Sequence, residues 1–293
     1  FRHVNGASPD KYLVETMGSG GLFFDYDDDG WIDVFLVDGG SFADPAVARQ
    51  ARDRLFRNRG NGTFQDVTAQ SGIQHRDYGM GACAGDYDND GRVDLYVTNV
   101  GPNTLYRNVG GGRFTDVTRA ARVGSPLWST GCAFADLDKD GDLDLFVTNY
   151  VDVRLKPPAS AESATARPRQ SLGDGRDSTT GPYKNPYCGN AALNARAYCH
   201  PLNFDPLPNV VYRNDGNGTF SDLSAESGVA AVRGNGLGVV IADYDDDGWP
   251  EVFVANDSMP NFLFRRKGPW RFEEFALRAG VAGGGRGGGR GRA

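Results

Sequence analysis

An acidic nonapeptide occurs four times in this chain: DYDDDGWID from Asp25, DYDNDGRVD from Asp86, DLDKDGDLD from Asp136 and DYDDDGWPE from Asp243. The four windows cover 36 of 293 residues yet hold 19 of the 38 acidic side chains, so half of the negative charge sits in an eighth of the sequence. Carboxylates at positions 1, 3, 5 and 9, a glycine at 6 and a backbone carbonyl at 7 form a compact oxygen cage with a sharp turn in it. Calcium, a hard cation that takes six to eight oxygens, fits such a cage. Without a cation, two carboxylates about 5 Å apart repel by roughly 3 kcal/mol at an effective dielectric near 20, and four or five in one loop would splay it.

About four Ca²⁺ ions per chain are therefore expected. The first set of ligands is Asp25, Asp27, Asp29, the carbonyl of Trp31 and Asp33; the second is Asp86, Asp88, Asp90, the carbonyl of Arg92 and Asp94. The third is Asp136, Asp138, Asp140, Asp142 and Asp144; the fourth is Asp243, Asp245, Asp247, the carbonyl of Trp249 and Glu251. The bland alternative is four Asp/Gly-rich surface turns, for which these residues are favoured without any metal. Four such loops in register weigh against it. Magnesium demands near-ideal octahedral geometry and retains water, and zinc wants Cys and His, which the windows lack. The fourth loop departs from the others, with Pro250 at position 8 and the longer Glu251 at position 9.

A second phrase follows each loop: RLFRNRGNGTFQDVT from Arg54, TLYRNVGGGRFTDVT from Thr104, VVYRNDGNGTFSDLS from Val210 and FLFRRKGPWRFEEFA from Phe262. The first loop Asp and the Phe of this phrase are 28 residues apart in the second unit, 29 in the fourth, 39 in the first and 84 in the third. The first and third units thus carry insertions of about 11 and 56 residues. Each unit is one supersecondary module. Short apolar and β-branched runs bounded by Gly and Asp read as strands, and the Gly-Asn-Gly or Gly-Gly-Gly between Tyr-Arg-Asn and Phe-x-Asp-Val supplies the positive φ of a tight hairpin. Each unit reads as four strands, the acidic loop joining the first two. No segment shows sustained helical periodicity. A four-stranded sheet cannot bury both faces alone, and at this repeat length the expected fold is an all-β propeller. The blades are expected at about 18–73, 79–123, 129–229 and 236–282, with a Pro-rich insertion at 152–208 and a Gly/Arg-rich tail at 283–293. Phe24, Val34, Leu95, Phe134, Leu145 and Val252 are the expected core.

From Phe1 to about Ala282 the chain resembles the FG-GAP/VCBS repeats of cartilage acidic protein-like and ASPIC/UnbV-type proteins, and more distantly integrin α-subunit propellers. The resemblance is carried by DYDDDGWIDVFLVDGG, YGMGACAGDYDNDGRVDLYVTN, GDLDLFVTNYVD and LGVVIADYDDDGWPEVFVANDSMPNFLFR. It implies a propeller, commonly seven-bladed, calcium in the acidic loops, and no general catalytic activity attached to the repeats. Four units fall short of such a ring, so the chain is expected either to be part of a longer protein or to be completed by other subunits, as a closed ring or a filament.

Composition narrows the function classes. The net charge is −7, which four divalent ions would bring near neutrality. A globally acidic chain attracts duplex DNA little, so no nucleic-acid partner is expected. No apolar stretch is long enough to span a membrane. The chain begins at Phe1 rather than Met, consistent with a processed N-terminus. Weak calcium sites fill where calcium is plentiful, which points to a secreted or cell-surface location. Cys188 and Cys199 lie together in the insertion, where a disulfide would pin a segment carrying eight of the fifteen prolines. Cys83 and Cys132 precede their loops by three and four residues, one register apart, and are expected buried and unpaired.

No GxSxG, HExxH or phosphate-binding glycine loop is present. His3 and His75 read as structural or surface groups, and His200 beside Cys199 is the one histidine worth inspecting. An enzyme is not expected, although calcium-dependent polysaccharide lyases do use propellers. Tyr12, Trp31, Trp128, Trp249 and Trp270 would stack on sugars if exposed, and packing between blades is the favoured role. The N-x-S/T patterns at Asn61, Asn217 and Asn256 belong mostly to the repeat itself, and the tail from Gly283 reads as a linker rather than an RNA-binding segment. The expected function is a calcium-stabilised structural or adhesive module that partners proteins or itself, with a glycan-binding propeller as the alternative.

Overall fold

The computed structural model describes residues 1–74, 77–153 and 185–283. Four antiparallel four-stranded sheets succeed one another along the chain, each blade strand hydrogen-bonded to the next in order. Blade 1 is built from Gly21–Phe24, Asp33–Leu36, Arg54–Asn58 and Phe64–Asp66. Blade 2 comprises Tyr78–Gly85, Asp94–Val100, Thr104–Asn108 and Phe114–Asp116. Blade 3 comprises Ser129–Ala135, Asp144–Asn149, Val210–Asn214 and Phe220–Asp222, and blade 4 Gly236–Ala242, Glu251–Asn256, Phe262–Gly268 and Arg271–Glu274. These are β-propeller blades.

The shared phrases explain each connection. The acidic loops link the first and second strands. In the hairpin between the third and fourth, Gly60 and Gly62 take φ of 68° and 81°, values that a Cβ makes costly. The Asp-Val-Thr that follows is a stitch: the Thr68 hydroxyl donates to Asp66 Oδ1 (2.7 Å) and accepts from the Leu55 amide (2.9 Å), tying the end of the fourth strand to the start of the third. Thr118, Asp116 and Leu105 repeat it at 2.7 and 2.9 Å. Among the described residues, helix is confined to single turns such as Thr68–Ser71 and Thr118–Ala121.

The core lies between blades. One cluster joins blades 1 and 2 through Phe24, Phe35, Leu95 and Phe114; another joins blades 2 and 3 through Tyr87, Tyr96, Leu145 and Phe220; a third joins blades 3 and 4 through Leu137, Phe146, Val252 and Phe264. At the end of the first strands away from the acidic loops, a fourth cluster caps the arc. There Leu13 and Val14 of the N-terminal segment meet Tyr78, Trp128 and Tyr150, and the insertion adds Phe204 and Leu207. Glu15, 5 % exposed, anchors this cap, accepting from the Ser8 amide (3.0 Å) and from Tyr198 of the insertion (3.1 Å).

Two expectations need correction. Val34 is only half-buried, because no blade among the described residues packs on its side of blade 1; Phe134 is also only partly buried, although it packs in the seam between blades 2 and 3. Cys83 and Cys132 are not free thiols: they form a disulfide, with Cα atoms 5.7 Å apart. The offset of one register is the reason. Successive strand residues point to opposite faces, and consecutive blades stack the front of one sheet on the back of the next, so residues of opposite parity meet. Cys188 and Cys199 form a second disulfide, Sγ to Sγ 2.04 Å, closing a hairpin of Cys188–Asn190 and Ala195–Ala197. The insertion from 154 to 184, His75 and most of the tail lie outside the described residues, as does any test of the tail as a linker.

Candidate metal centres

Every acidic loop leaves a first strand and returns as a second, and its backbone is folded by its own carboxylates. The position-1 side chain accepts from the amide at position 6: Gly30 to Asp25 (2.8 Å), Gly91 to Asp86 (2.9 Å), Gly141 to Asp136 (3.1 Å) and Gly248 to Asp243 (2.8 Å). The position-5 side chain accepts from the amide at position 7, with Trp31 on Asp29 (2.9 Å), Arg92 on Asp90 (3.1 Å), Asp142 on Asp140 (2.9 Å) and Trp249 on Asp247 (2.8 Å). Gly30, Gly91, Gly141 and Gly248 take φ between 83° and 94°, the reason position 6 must be glycine. Position 4 is also left-handed, at Asp28, Asn89, Lys139 and Asp246 (φ 54° to 65°). Asn and Asp tolerate that region, which is the signal sequence reading passed over.

These turns gather carboxylate oxygens within 4.8 Å of one another: Asp25, Asp27 and Asp29; Asp86, Asp88 and Asp90; Asp136, Asp138 and Asp144; Asp243, Asp245 and Glu251. Each group could hold a metal ion. Asp27 Oδ1, Asp88 Oδ1 and Glu251 Oε1 are buried with no hydrogen-bond partner, so the clusters contain acceptor capacity that the protein itself leaves unused. Burial pushes the Asp27 and Asp88 carboxyls up, against the pull of Arg57 and Arg107 respectively. Arg57 bridges Asp27 (2.7 Å) and Asp29 (2.8 Å), and Arg107 bridges Asp88 (2.5 Å) and Asp90 (3.0 Å). The equivalent arginines of the later blades turn elsewhere, Arg213 to Asp215 (2.9 Å) and Arg265 over the Phe275 ring (4.2 Å).

Position 9 has a second job that spacing alone does not reveal. Asp94 is fully buried; its two oxygens accept from the Tyr87 amide (3.2 Å) in the loop and the Asn108 amide (2.7 Å) in the third strand. Asp33 does the same for Tyr26 (3.2 Å) and Asn58 (2.7 Å), and Asp144 for Leu137 (2.9 Å) and Asn214 (2.8 Å). Burial raises the Asp94 and Asp144 carboxyls to about 7, although the two backbone donors favour the anion. Glu251 accepts only from Tyr244 (3.1 Å) among the described residues, which leaves its other oxygen to the cluster.

The loops are also bound to their neighbours. Asn108 Nδ2 reaches back to the Tyr26 carbonyl of the preceding loop (2.8 Å), and Asn214 Nδ2 to that of Tyr87 (2.7 Å). In the same place Arg266 donates to the Leu137 carbonyl. The Trp270 indole of blade 4 donates to Asp138 of the third loop (2.8 Å).

The other candidates resolve into packing roles. Trp128 is 3 % exposed against Tyr150, Tyr12 packs near Phe42, and Trp249 lies between Lys139 (4.3 Å) and Arg266 (3.8 Å). Trp31 is half-exposed over Gly60. His3 Nδ1 lies 3.2 Å from Asp38, and His200 Nδ1 accepts from the Leu202 amide (3.3 Å) at a turn, so neither joins a metal cluster. No helix among the described residues is long and apolar enough to cross a membrane.

Comparison with known proteins places this geometry. Cartilage acidic protein 1 of Xenopus tropicalis and of Mus musculus are each 36% identical over 72 residues, 24% of this chain and 11% of theirs, and the human protein is 35% identical over the same length. The chain thus matches about a ninth of the length of these relatives. A solved structure of an Agrocybe aegerita lectin that recognises non-reducing terminal N-acetylglucosamine aligns over 88% of this chain and 52% of its own, at 14% identity and a TM-score of 0.40. A Photorhabdus luminescens Tc holotoxin pore aligns over 86% of this chain and 9% of its own, at 13% identity and a TM-score of 0.30. The model of the FG-GAP-like repeat matches residues 25–97, 86–147 and 202–254, which together span more than half of the chain and contain all four acidic loops. With four blades built on that repeat, the chain belongs to the FG-GAP-like repeat proteins.

Proposed function

We propose that this chain is a calcium-binding structural module of an extracellular or cell-surface protein, in which ions in the four acidic loops set the geometry of the blades. The observation that supports it is the unused oxygen of Asp27, Asp88 and Glu251, buried beside two further carboxylates in each loop. An all-oxygen donor set of this kind suits calcium. When bound, the ion supplies positive charge to carboxylates that otherwise repel by a few kcal/mol per pair. The Trp31, Arg92 and Trp249 carbonyls at position 7, Asp142 in the third loop, and the remaining carboxylates of each window complete the proposed ligand sets.

The protein's own groups carry the effect outward. Position 1 holds the turn, position 9 fastens it to the third strand, and the position-2 carbonyl accepts the Asn108 or Asn214 amide of the following blade. A loop that splays therefore loosens the contact with its neighbour as well as its own sheet. The two disulfides fit an oxidising compartment, which agrees with an extracellular setting.

A catalytic reading has less support. A cleft of about 710 Å³ brings together Arg2, His3, Asp38, Arg52, Arg54 and Asp66. Its carboxylates are already occupied: Asp38 accepts from the Val4 (2.7 Å), Gly39 (3.0 Å) and Arg52 (2.8 Å) amides, and Asp66 caps Thr68 and pairs with Arg54 (3.2 Å). A glycan-binding reading rests on the half-exposed Trp31 alone among the tryptophans.

The test is a calcium titration of the chelator-treated chain by calorimetry, paired with thermal melts in millimolar calcium and in excess chelator. Saturable binding with a higher melting temperature in calcium supports the reading, and Asp88→Asn should remove part of both. A melting curve that calcium does not move would overturn it.

A further inference from the structure

Arg57, Arg107, Arg213 and Arg265 occupy one position of the repeat, near the end of the third strand, and they divide the acidic loops into two kinds. In blades 1 and 2 the guanidinium spans loop positions 3 and 5. Arg57 Nε lies 2.7 Å from Asp27 Oδ2 and its Nη2 2.8 Å from Asp29 Oδ2; Arg107 makes the same pairs with Asp88 and Asp90 at 2.5 and 3.0 Å. Each position-3 carboxylate is thus held by one oxygen, while the other, Asp27 Oδ1 or Asp88 Oδ1, is buried and has no hydrogen-bond partner. Arg92 of the second loop places a further guanidinium on Asp90. A cation is already part of these two loops.

The same arginine is turned away in blades 3 and 4. Arg213 pairs with Asp215 (2.9 Å), which also accepts from the Ser221 hydroxyl (2.9 and 3.0 Å to its two oxygens). Blades 1 and 2 have Arg59 and Val109 where blade 3 has Asp215, so a single residue type separates the two arrangements. Asp138 Oδ2, the counterpart of the oxygen held by arginine in the earlier loops, accepts instead from an uncharged donor, the Trp270 indole (2.8 Å). Arg265 lies over the Phe275 ring (4.2 Å) and 4.0 Å from Glu273.

A guanidinium paired with two carboxylates relieves their mutual repulsion, which is the task proposed for the ion. It also repels a divalent ion that reaches the same carboxylates. The two cations therefore oppose each other, and by linkage each lowers the other's affinity by the same factor.

We propose that Arg57 and Arg107 are built-in counter-cations, positioning residues that hold the first and second loops closed before calcium arrives and that lower calcium affinity there. Among the described residues, the third and fourth loops have no such guanidinium bridge. The inference rests on the calcium reading and deepens it, by separating two sites that calcium shares with an arginine from two that it does not.

The experiment is a calorimetric calcium titration of the whole chain, with thermal melts in excess chelator, for the wild type, Arg107→Ala, Arg107→Lys and Val109→Asp. The Arg107 side chain is 41 % exposed and Val109 is 44 % exposed, so the chain should fold in each variant. Arg107→Ala should bind the same number of ions, one of them roughly tenfold more tightly, the effect of removing a unit charge close to a divalent ion in water. It should also melt lower in chelator. An arginine that served the fold alone would not tighten calcium when removed. Arg107→Lys keeps the charge and should bind calcium as the wild type does. Val109→Asp gives blade 2 the acid of blade 3; it should divert Arg107 and tighten calcium, and should add less in the Arg107→Ala background than it does alone. In an Asp88→Asn background, Arg107→Ala should leave the remaining sites unchanged, which assigns the effect to the second loop. Calcium binding by Arg107→Ala that is unchanged or weaker, or an Arg107→Lys that behaves as Arg107→Ala does, would overturn the proposal and leave the calcium reading standing. A wild type that takes up no calcium would overturn both.

Discussion

The second and fourth acidic loops share Asp at positions 1, 3 and 5, Tyr at 2 and Gly at 6, in different surroundings. In the second, Asp86, Asp88 and Asp90 are all half-buried, and Asp94 is completely buried with both oxygens occupied by backbone donors. In the fourth, Asp243 and Asp245 are exposed and only Glu251 is buried. The difference comes from the next blade. Phe220 packs on Tyr87, Asn214 donates to the Tyr87 carbonyl, and Asn89 of the second loop reaches Asp142 of the third (2.6 Å), whereas Tyr244 is 49 % exposed. An acidic loop of this repeat thus draws its burial from its neighbour as much as from its own nonapeptide.

Removing the two position-9 acids in turn should separate the two loops most. Asp94→Ala strands two backbone N–H groups in a buried site, at about 1–3 kcal/mol each, whereas Glu251→Ala strands the Tyr244 amide, so chemical denaturation should show Asp94→Ala as clearly the more destabilising. Next in size is the link between blades. Asn214→Ala loses three hydrogen bonds, one of them to the second loop, and should cost about 1–3 kcal/mol; Asn58→Ala, which loses two within its own blade, should cost less in the same assay.

Substitutions of the candidate ligands should have smaller effects. Asp88→Asn should remove one calcium from the calorimetric stoichiometry and reduce the calcium-dependent rise in melting temperature. Asp245→Asn should lose its ion with a smaller change in stability, since no following blade packs on that loop among the described residues. Equal losses would show that the neighbour does not matter. The smallest effect is expected of Trp249→Ala, whose ring lies on Lys139 and Arg266; partly exposed cation–π contacts are worth about 0.5–1 kcal/mol each, so the melt should shift by only a few degrees.

Much of this was legible in the chain. The glycine at position 6, the hairpin glycines and the alternation of the strands are local requirements, each written into a residue type at a fixed spacing. The fate of Cys83 and Cys132 was not, because it depends on which faces of two sheets meet. Nor was the role of Asp94 as a fastener, since its two donors sit in the loop and in a strand fourteen residues away. The same limit explains Val34, whose alternation marks it as core although no blade among the described residues covers it.

The repeat can be read from the chain alone: four units, four strands in each, and a carboxylate loop between the first and second. These follow from turn chemistry and strand periodicity, which act over a few residues. How the units share their surfaces emerges only on folding: the seams that bury Phe114 and Phe220, the capping of the arc by the insertion and the N-terminal segment, and the exposure of Phe23 and Val240. Burial is a property of both partners in a contact, and a chain read one unit at a time holds only one of them.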